Sequence, residues 1–124
     1  MMLTSQFVLD RWLEVFTKDI EYTAFGTPYS LDKFPALLDA APRGQFIGNM
    51  PVVEFDAADT DRATGVQHFV FFDQTTHAMR LVWYNDEYRR TSDGWRIRRR
   101  STTFMRKHGG TDSGVQHDPL ADKA

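Results

Sequence analysis

The chain has no cysteine among its 124 residues. That removes disulfide staples, a thiolate nucleophile and any sulfur metal site, and nothing marks an oxidising compartment. No apolar run approaches membrane-spanning length, and Met1 to Ser5 lacks the basic stretch, apolar core and small-residue cleavage site of a secretory leader. A cytoplasmic location is expected. Charge of one sign is also missing: 15 Lys and Arg against 17 Asp and Glu give a formal net charge of −2. Such a chain has too weak a field to gather nucleic acid or an anionic membrane, so neither is an expected partner. No Gly-rich loop precedes a helix to cradle phosphate, and no His, Asp and Glu positions have metal-site spacing. No cofactor and no metal are expected. A second core is excluded by length, because each half would be too small to hide its apolar surface.

Aromatic residues, by contrast, are plentiful: ten Phe, four Tyr and three Trp. Large rings fill cores and also line cavities for flat apolar ligands. Thr4 or Ser5 can cap a first helix whose apolar stripe runs Val8, Leu9, Trp12, Leu13, Val15 and Phe16. A strand is expected over Asp19 to Phe25, ending in a turn at Gly26-Thr-Pro28. Ser30 or Asp32 then caps a second helix carrying Leu31, Phe34, Leu37 and Leu38, with Pro35 in its first turn and Pro42 and Gly44 after its end. Four strands follow, Gln45 to Phe55, Thr64 to Phe72, Met79 to Arg90 and Trp95 to Met105, joined by short turn-rich stretches into an antiparallel meander. Pro51 removes a ladder donor and places its strand at an edge or at a bulge. Residues 1–107 form one domain, and residues 108–124, polar and Gly-containing, read as a flexible tail.

The last two strands form a long hairpin, and a turn over Thr91 to Gly94 makes facing positions sum to an odd number. Tyr84, Asp86 and Tyr88 then share a face with Trp95, Ile97, Arg99, Ser101 and Thr103. Asn85, Glu87 and Arg89 share the wet face with Arg96, Arg98 and Arg100. With four loop residues Asp86 lies opposite Arg99 among apolar rings, where charges cost several kcal/mol each unless paired. The pair is either a pocket acid or base with its orienting guanidinium, or a structural ion pair. His68, mid-strand among phenylalanines, is either a general base or a satisfied core residue. The arginine run 96–100 reads as a solvated strand face.

Three stretches carry a family resemblance: Phe16-Thr-Lys-Asp19-Ile-Glu-Tyr22, Phe46-Ile-Gly-Asn49, and Tyr84-Asn-Asp86-Glu-Tyr88 through Asp93-Gly94-Trp95-Arg-Ile97. In these, and in its order of a helix, a short strand, a second helix and then four long strands, the chain resembles the NTF2-like superfamily, and within it the SnoaL-like polyketide cyclase and dehydratase-type domains. The resemblance implies an α+β, cone-shaped half-barrel, a curved antiparallel sheet covered by N-terminal helices around a deep apolar pocket, often as a homodimer. It also implies a cofactor-independent lyase, isomerase or cyclase acting by proton transfer on an apolar cyclic molecule of steroid, polyketide or aromatic type. By position it carries over Asn49, Asp86 and Arg99 as pocket-facing residues and Tyr22 as lining. Gln45 stands where dehydratase-like relatives usually have a histidine.

The catalytic candidates are therefore Asp86, Arg99 and His68, and the substrate-binding candidates are Tyr22, Gln45, Asn49, Tyr84, Tyr88 and Trp95. Three functions fit them: a proton-transfer enzyme, a pocket protein that binds without turnover, and an assembly subunit with a vestigial pocket.

Overall fold

In the computed structural model, which describes residues 5–24 and 26–105, the chain enters through helix α1, Ser5–Leu13. The helix is shorter than its apolar stripe, because Phe16 opens strand β1, Phe16–Ala24. Burial explains the difference. Phe16 is needed in the core from either backbone, and it meets Trp12 edge-on at 5.7 Å and Phe34 at 5.0 Å. Gly26, at φ 75°, turns the chain into a short strand β2, Thr27–Tyr29, where only a turn was expected. Pro28 pairs with Thr23 there at the free edge of the sheet, where its missing N–H breaks no ladder.

A 3-10 turn over Leu31–Lys33 leads into α2, Phe34–Ala40. Ser30 holds the N-cap position of the 3-10 turn that opens the segment, while the cap position of the α-helix itself falls on Lys33, and Pro35 sits in the first turn as expected. The segment expected as one strand from Gln45 is split around Pro51 into β3, Gly44–Gly48, and β4, Val52–Phe55, both pairing with β5, Arg62–Asp73. Strands β6, Met79–Thr91, and β7, Gly94–Met105, complete the meander.

The strand order is β2-β1-β7-β6-β5-β3, with β4 also on β5. Strand β1 runs parallel to β7, so the sheet is mixed where an antiparallel one was expected. The result is a curved, open sheet with few helices, an α+β half-barrel. Irregularities in β1, between Phe16 and Glu21, and in β7, opposite Glu87, bend strands at the places where a half-barrel must curve.

The two helices cover only part of the inner face. Phe16, Ile20 and Phe34 form the buried cluster, with Trp12, Leu13, Tyr22, Leu31, Leu37 and Ile97 packed around it. Further across, Ala63, Phe69, Phe71 and Val82 are buried, yet Phe46 and Phe55 on the same face stay largely exposed. Among the described residues no helix is long and apolar enough to cross a membrane, and no cluster of His, Asp and Glu could hold a metal ion. The tail expected at residues 108–124 lies outside the described residues.

Candidate functional site

The site is built by the β6–β7 hairpin. Its turn has two central residues, Ser92 and Asp93, with Thr91 paired to Gly94 and Gly94 at φ 108°. The Thr91 hydroxyl closes the turn, donating to the Gly94 carbonyl at 2.8 Å and accepting the Asp93 amide at 3.1 Å. From the turn the register runs as the parity argument requires, to Tyr88 opposite Ile97. There β7 carries one extra residue. Arg98 and Arg99 together oppose Glu87, a β-bulge, and beyond it Asp86 pairs with Arg100, Asn85 with Ser101 and Tyr84 with Thr102. The expected partner of Asp86, Arg99, is thereby corrected to Arg100.

Arg100 grips Asp86 through two parallel hydrogen bonds, Nε to Oδ1 at 2.8 Å and Nη2 to Oδ2 at 2.9 Å. The side chains are 1 % and 14 % exposed respectively for Asp86 and Arg100, so the pair is desolvated and must satisfy itself. Tyr88 adds a third bond, its hydroxyl donating to Asp86 Oδ2 at 3.2 Å. The guanidinium plane of Arg100 lies over the Tyr84 ring at 3.8 Å from its centroid and within 5.9 Å of that of Phe16. Thr102 Oγ1 donates to the Tyr22 hydroxyl at 3.5 Å, extending the polar line toward β1.

The electrostatics follow from burial. Desolvation, followed by the charge of Asp86 and its hydrogen bond, pushes the Tyr88 phenol up to about 12. Burial raises Tyr84 further still. Burial also pulls Arg100 down, but the hydrogen bonds and charge of Asp86 outweigh it and hold the guanidinium above its ordinary value. The site thus holds a fixed cation and two neutral phenols, one of them bonded to a carboxylate.

Gly65 makes the packing possible. It pairs with Asp86 across β5–β6, and a Cβ there would stand 2.7 Å from the Tyr88 ring and 2.8 Å from its hydroxyl. The ring rests on bare backbone, which brings its hydroxyl to Asp86. Beside this polar line runs an aromatic wall: Tyr84 meets Phe69 at 4.6 Å, and Phe46 meets Phe69 at 5.3 Å and Phe71 at 4.8 Å. The exposed ring of Phe46 leaves the wall open to a ligand.

Of the residues expected at the site, the inner face brings together Asp86, Tyr22, Tyr84 and Tyr88. Arg99 is on the outer face, donating to Glu21 at 2.9 Å. His68 is also there, exposed and tilted against Trp83 at 5.9 Å, since it alternates with buried Phe69. Gln45 pairs with Phe72 on that same outer face. Asn49 is exposed between β3 and β4, and its carbonyl accepts from Gln67 Nε2 at 3.0 Å. Trp95 shares the inner face but sits at the hairpin's end, edge-on to Phe55 at 5.8 Å with Arg90 5.5 Å above its ring. Arg100 and Gly65 were not among the expected residues.

Among known proteins, a family model described as a SnoaL-like domain matches residues 3–101. No curated protein matches. Of the solved structures, a variant of Rv3472 of Mycobacterium tuberculosis, a protein of unknown function, is 23 % identical with a TM-score of 0.63, over 74 % of this chain and 60 % of that one. The chain thus spans less than two thirds of that relative's length. An NTF2-like protein with a cystatin-like fold from Novosphingobium aromaticivorans is 22 % identical with a TM-score of 0.63, over 77 % of this chain and 68 % of that one. LinA is 18 % identical with a TM-score of 0.67, over 90 % of this chain and 80 % of that one. Its type 2 form is described as a hexachlorocyclohexane dehydrochlorinase.

Proposed function

The chain belongs to the SnoaL-like domain family, and from that premise we propose that it is a cofactor-independent lyase or isomerase that moves a proton on an apolar cyclic molecule. One observation carries the reading: on the inner face a carboxylate accepts hydrogen bonds from both a guanidinium and a phenol, beside an aromatic wall that is open to solvent. LinA, with the same fold, supports the reaction class, since dehydrochlorination removes a proton and a leaving group from a ring.

The roles follow from the bonding. An ionised carboxylate has about four acceptor positions, and three on Asp86 are taken by Arg100 and Tyr88. The remaining position takes a substrate proton once the Tyr88 ring turns aside and uncovers a carboxylate that is otherwise sealed, while the electron pair of the broken C–H bond either forms a double bond as the leaving group departs with its own pair or shifts within the ring. Arg100, through its two parallel bonds, fixes the carboxylate in direction. Tyr88, neutral because its phenol is pushed up to about 12, donates a hydrogen bond to a developing anion once it turns from Asp86. Phe46, Phe69 and Tyr84 hold the ring by stacking.

A second reading rests on the same bonds. With three acceptor positions filled, and with no histidine on the inner face among the described residues, the site also suits binding without turnover. One experiment separates the two. A thermal-shift screen against chlorinated, aromatic and steroid-like rings finds ligands, and each is then followed for turnover by wild type, Asp86→Asn and Tyr88→Phe. Turnover by wild type that drops at least 100-fold in Asp86→Asn with binding kept supports the enzyme. Binding without turnover in wild type supports the second reading, and no shift for any ring rejects both.

A further inference from the structure

The aromatic wall of Tyr84, Phe69 and Phe46 lies on one side of the Asp86 row, and the inner face continues on the other side toward the tip of the β6–β7 hairpin. Val53 pairs with Gly65, and Gly65 with Asp86, so Val53 stands in the row of the carboxylate. Phe55 pairs with Ala63, and Ala63 with Tyr88, one inner-face row nearer the tip. Trp95 and Arg90 pair with each other in the next such row. The apolar side chains form an uncovered track, since Val53, Phe55 and Trp95 leave 40 %, 69 % and 37 % of their surface in water. At its end stands a cation. Arg90 donates from Nε to Asp61 Oδ1 at 2.9 Å and from Nη2 to the Thr60 carbonyl at 3.4 Å. A guanidinium also carries N–H groups on Nη1, and these have no hydrogen-bond partner among the described residues.

We propose, resting on the reading that rings bind the inner face, that the molecule this site takes carries a carboxylate, which Arg90 holds at the far end of the track. The reacting ring stays by Tyr84 and Asp86, and the arm leading from it lies along Val53 and Phe55. Four residues of β6 separate Asp86 from Arg90, about 13 Å of strand, which two linked rings with a carboxylate at one end can bridge. The guanidinium is prepared for that group. Trp95 lies beneath it, 5.5 Å from ring centroid to carbon, and steadies its plane, and its unpaired Nη edge matches a carboxylate through two parallel bonds. Asp61 is a weak competitor, because side chains 50 % and 60 % exposed make an ion pair of little worth. The position also suits an anion better than the row of Asp86 does. Beside Asp86 a second carboxylate would be repelled and stripped of water, whereas at the open rim it keeps part of its hydration. A ligand cation, which the aromatic corner of Phe55 and Trp95 could otherwise attract, meets Arg90 there and is turned away.

Isothermal titration of the full chain with biphenyl-4-carboxylate and with biphenyl-4-carboxamide tests the assignment, since the two share their rings and differ in charge at neutral pH. The acid is expected to bind at least tenfold tighter. Arg90→Met should erase that preference and leave the affinity for the carboxamide within about twofold, with unchanged far-ultraviolet circular dichroism, because the side chain is half exposed. Asp61→Asn, which removes the competing carboxylate, should tighten binding of the acid alone. Arg80→Met, which removes an arginine of the same face at its other end, opposite Phe71, should change neither affinity. Equal affinity for acid and carboxamide overturns the inference while the ring site stands, and so does a preference that survives Arg90→Met. Weaker binding of the acid by Asp61→Asn would mean that the pair braces the hairpin instead of competing with the ligand, and overturns it as well. If neither probe binds, the inference falls whatever the thermal-shift screen finds, and the ring site falls with it only when that screen is empty.

Discussion

Gly65 shows how one residue without a side chain sets the chemistry of its neighbour. The Tyr88 ring occupies the space a Cβ would need, 2.7 Å away. Gly65→Ala must therefore push the ring aside and break its bond to Asp86, a small-to-large change that costs about 1–3 kcal/mol. The readout is specific. Tyr88 ionises near 10 when unfolded and at about 12 when folded, so its contribution to stability is full below pH 10 and is lost as pH climbs from 10 toward 12. Phenolate absorbance during alkaline titration should show delayed ionisation in wild type, and earlier ionisation in Gly65→Ala. A titration unchanged by the substitution would mean the ring does not depend on this glycine. Asp86 and Arg100 give a second residue-scale contrast. Arg100→Met strands a carboxylate whose side chain is 1 % exposed, and should cost about 3–5 kcal/mol in urea denaturation. Arg99→Met removes an exposed pair with Glu21 and a long 3.9 Å contact with Glu87, which keeps Arg62 as its closer partner, and should stay within about 1 kcal/mol.

At the scale of the element, the bulge in β7 decides which arginine enters the site, and it also explains what the sequence hides. The turn residues, the hairpin and the dry face of Tyr84, Asp86 and Tyr88 are all legible, because turn chemistry and two-residue alternation are local. Parity carried from the turn is right as far as Tyr88 opposite Ile97. It fails one residue later, inside Arg98-Arg99-Arg100, where three identical side chains give alternation nothing to distinguish. A bulge costs a ladder irregularity and gains a bend, and a linear pattern records only the first. Likewise His68 takes its outer position from the alternation of β5, which depends on which neighbours the curved sheet buries. Removing any one of the three arginines yields the same shortened chain. It flattens the bulge while an arginine still faces Asp86. That deletion should therefore cost less stability than Arg100→Met, although it loses more atoms. If the deletion proves the more costly of the two, the bend itself, and not the ion pair, is what β7 must preserve.

For the whole molecule the deciding feature is uneven cover. Helices α1 and α2 seal the β1–β7 half of the inner face around Phe34, while β3 and β4 expose nearly every side chain they carry. Family and fold were legible from scattered stretches of sequence, but this asymmetry was not, because it depends on which strands two short helices can reach. Local opening should follow it, since segments with few buried contacts open at low free energy. Native-state hydrogen exchange should find the amides of β6 and β7 slowest, held on both sides by neighbouring strands, and those of β4 fastest, paired with β5 alone over four residues. A ring bound against Phe46 should slow β3 without changing β7. Exchange that is uniform across the sheet would instead mean that the exposed strands are held as firmly as the core, and the open wall on which the binding site depends would not be open.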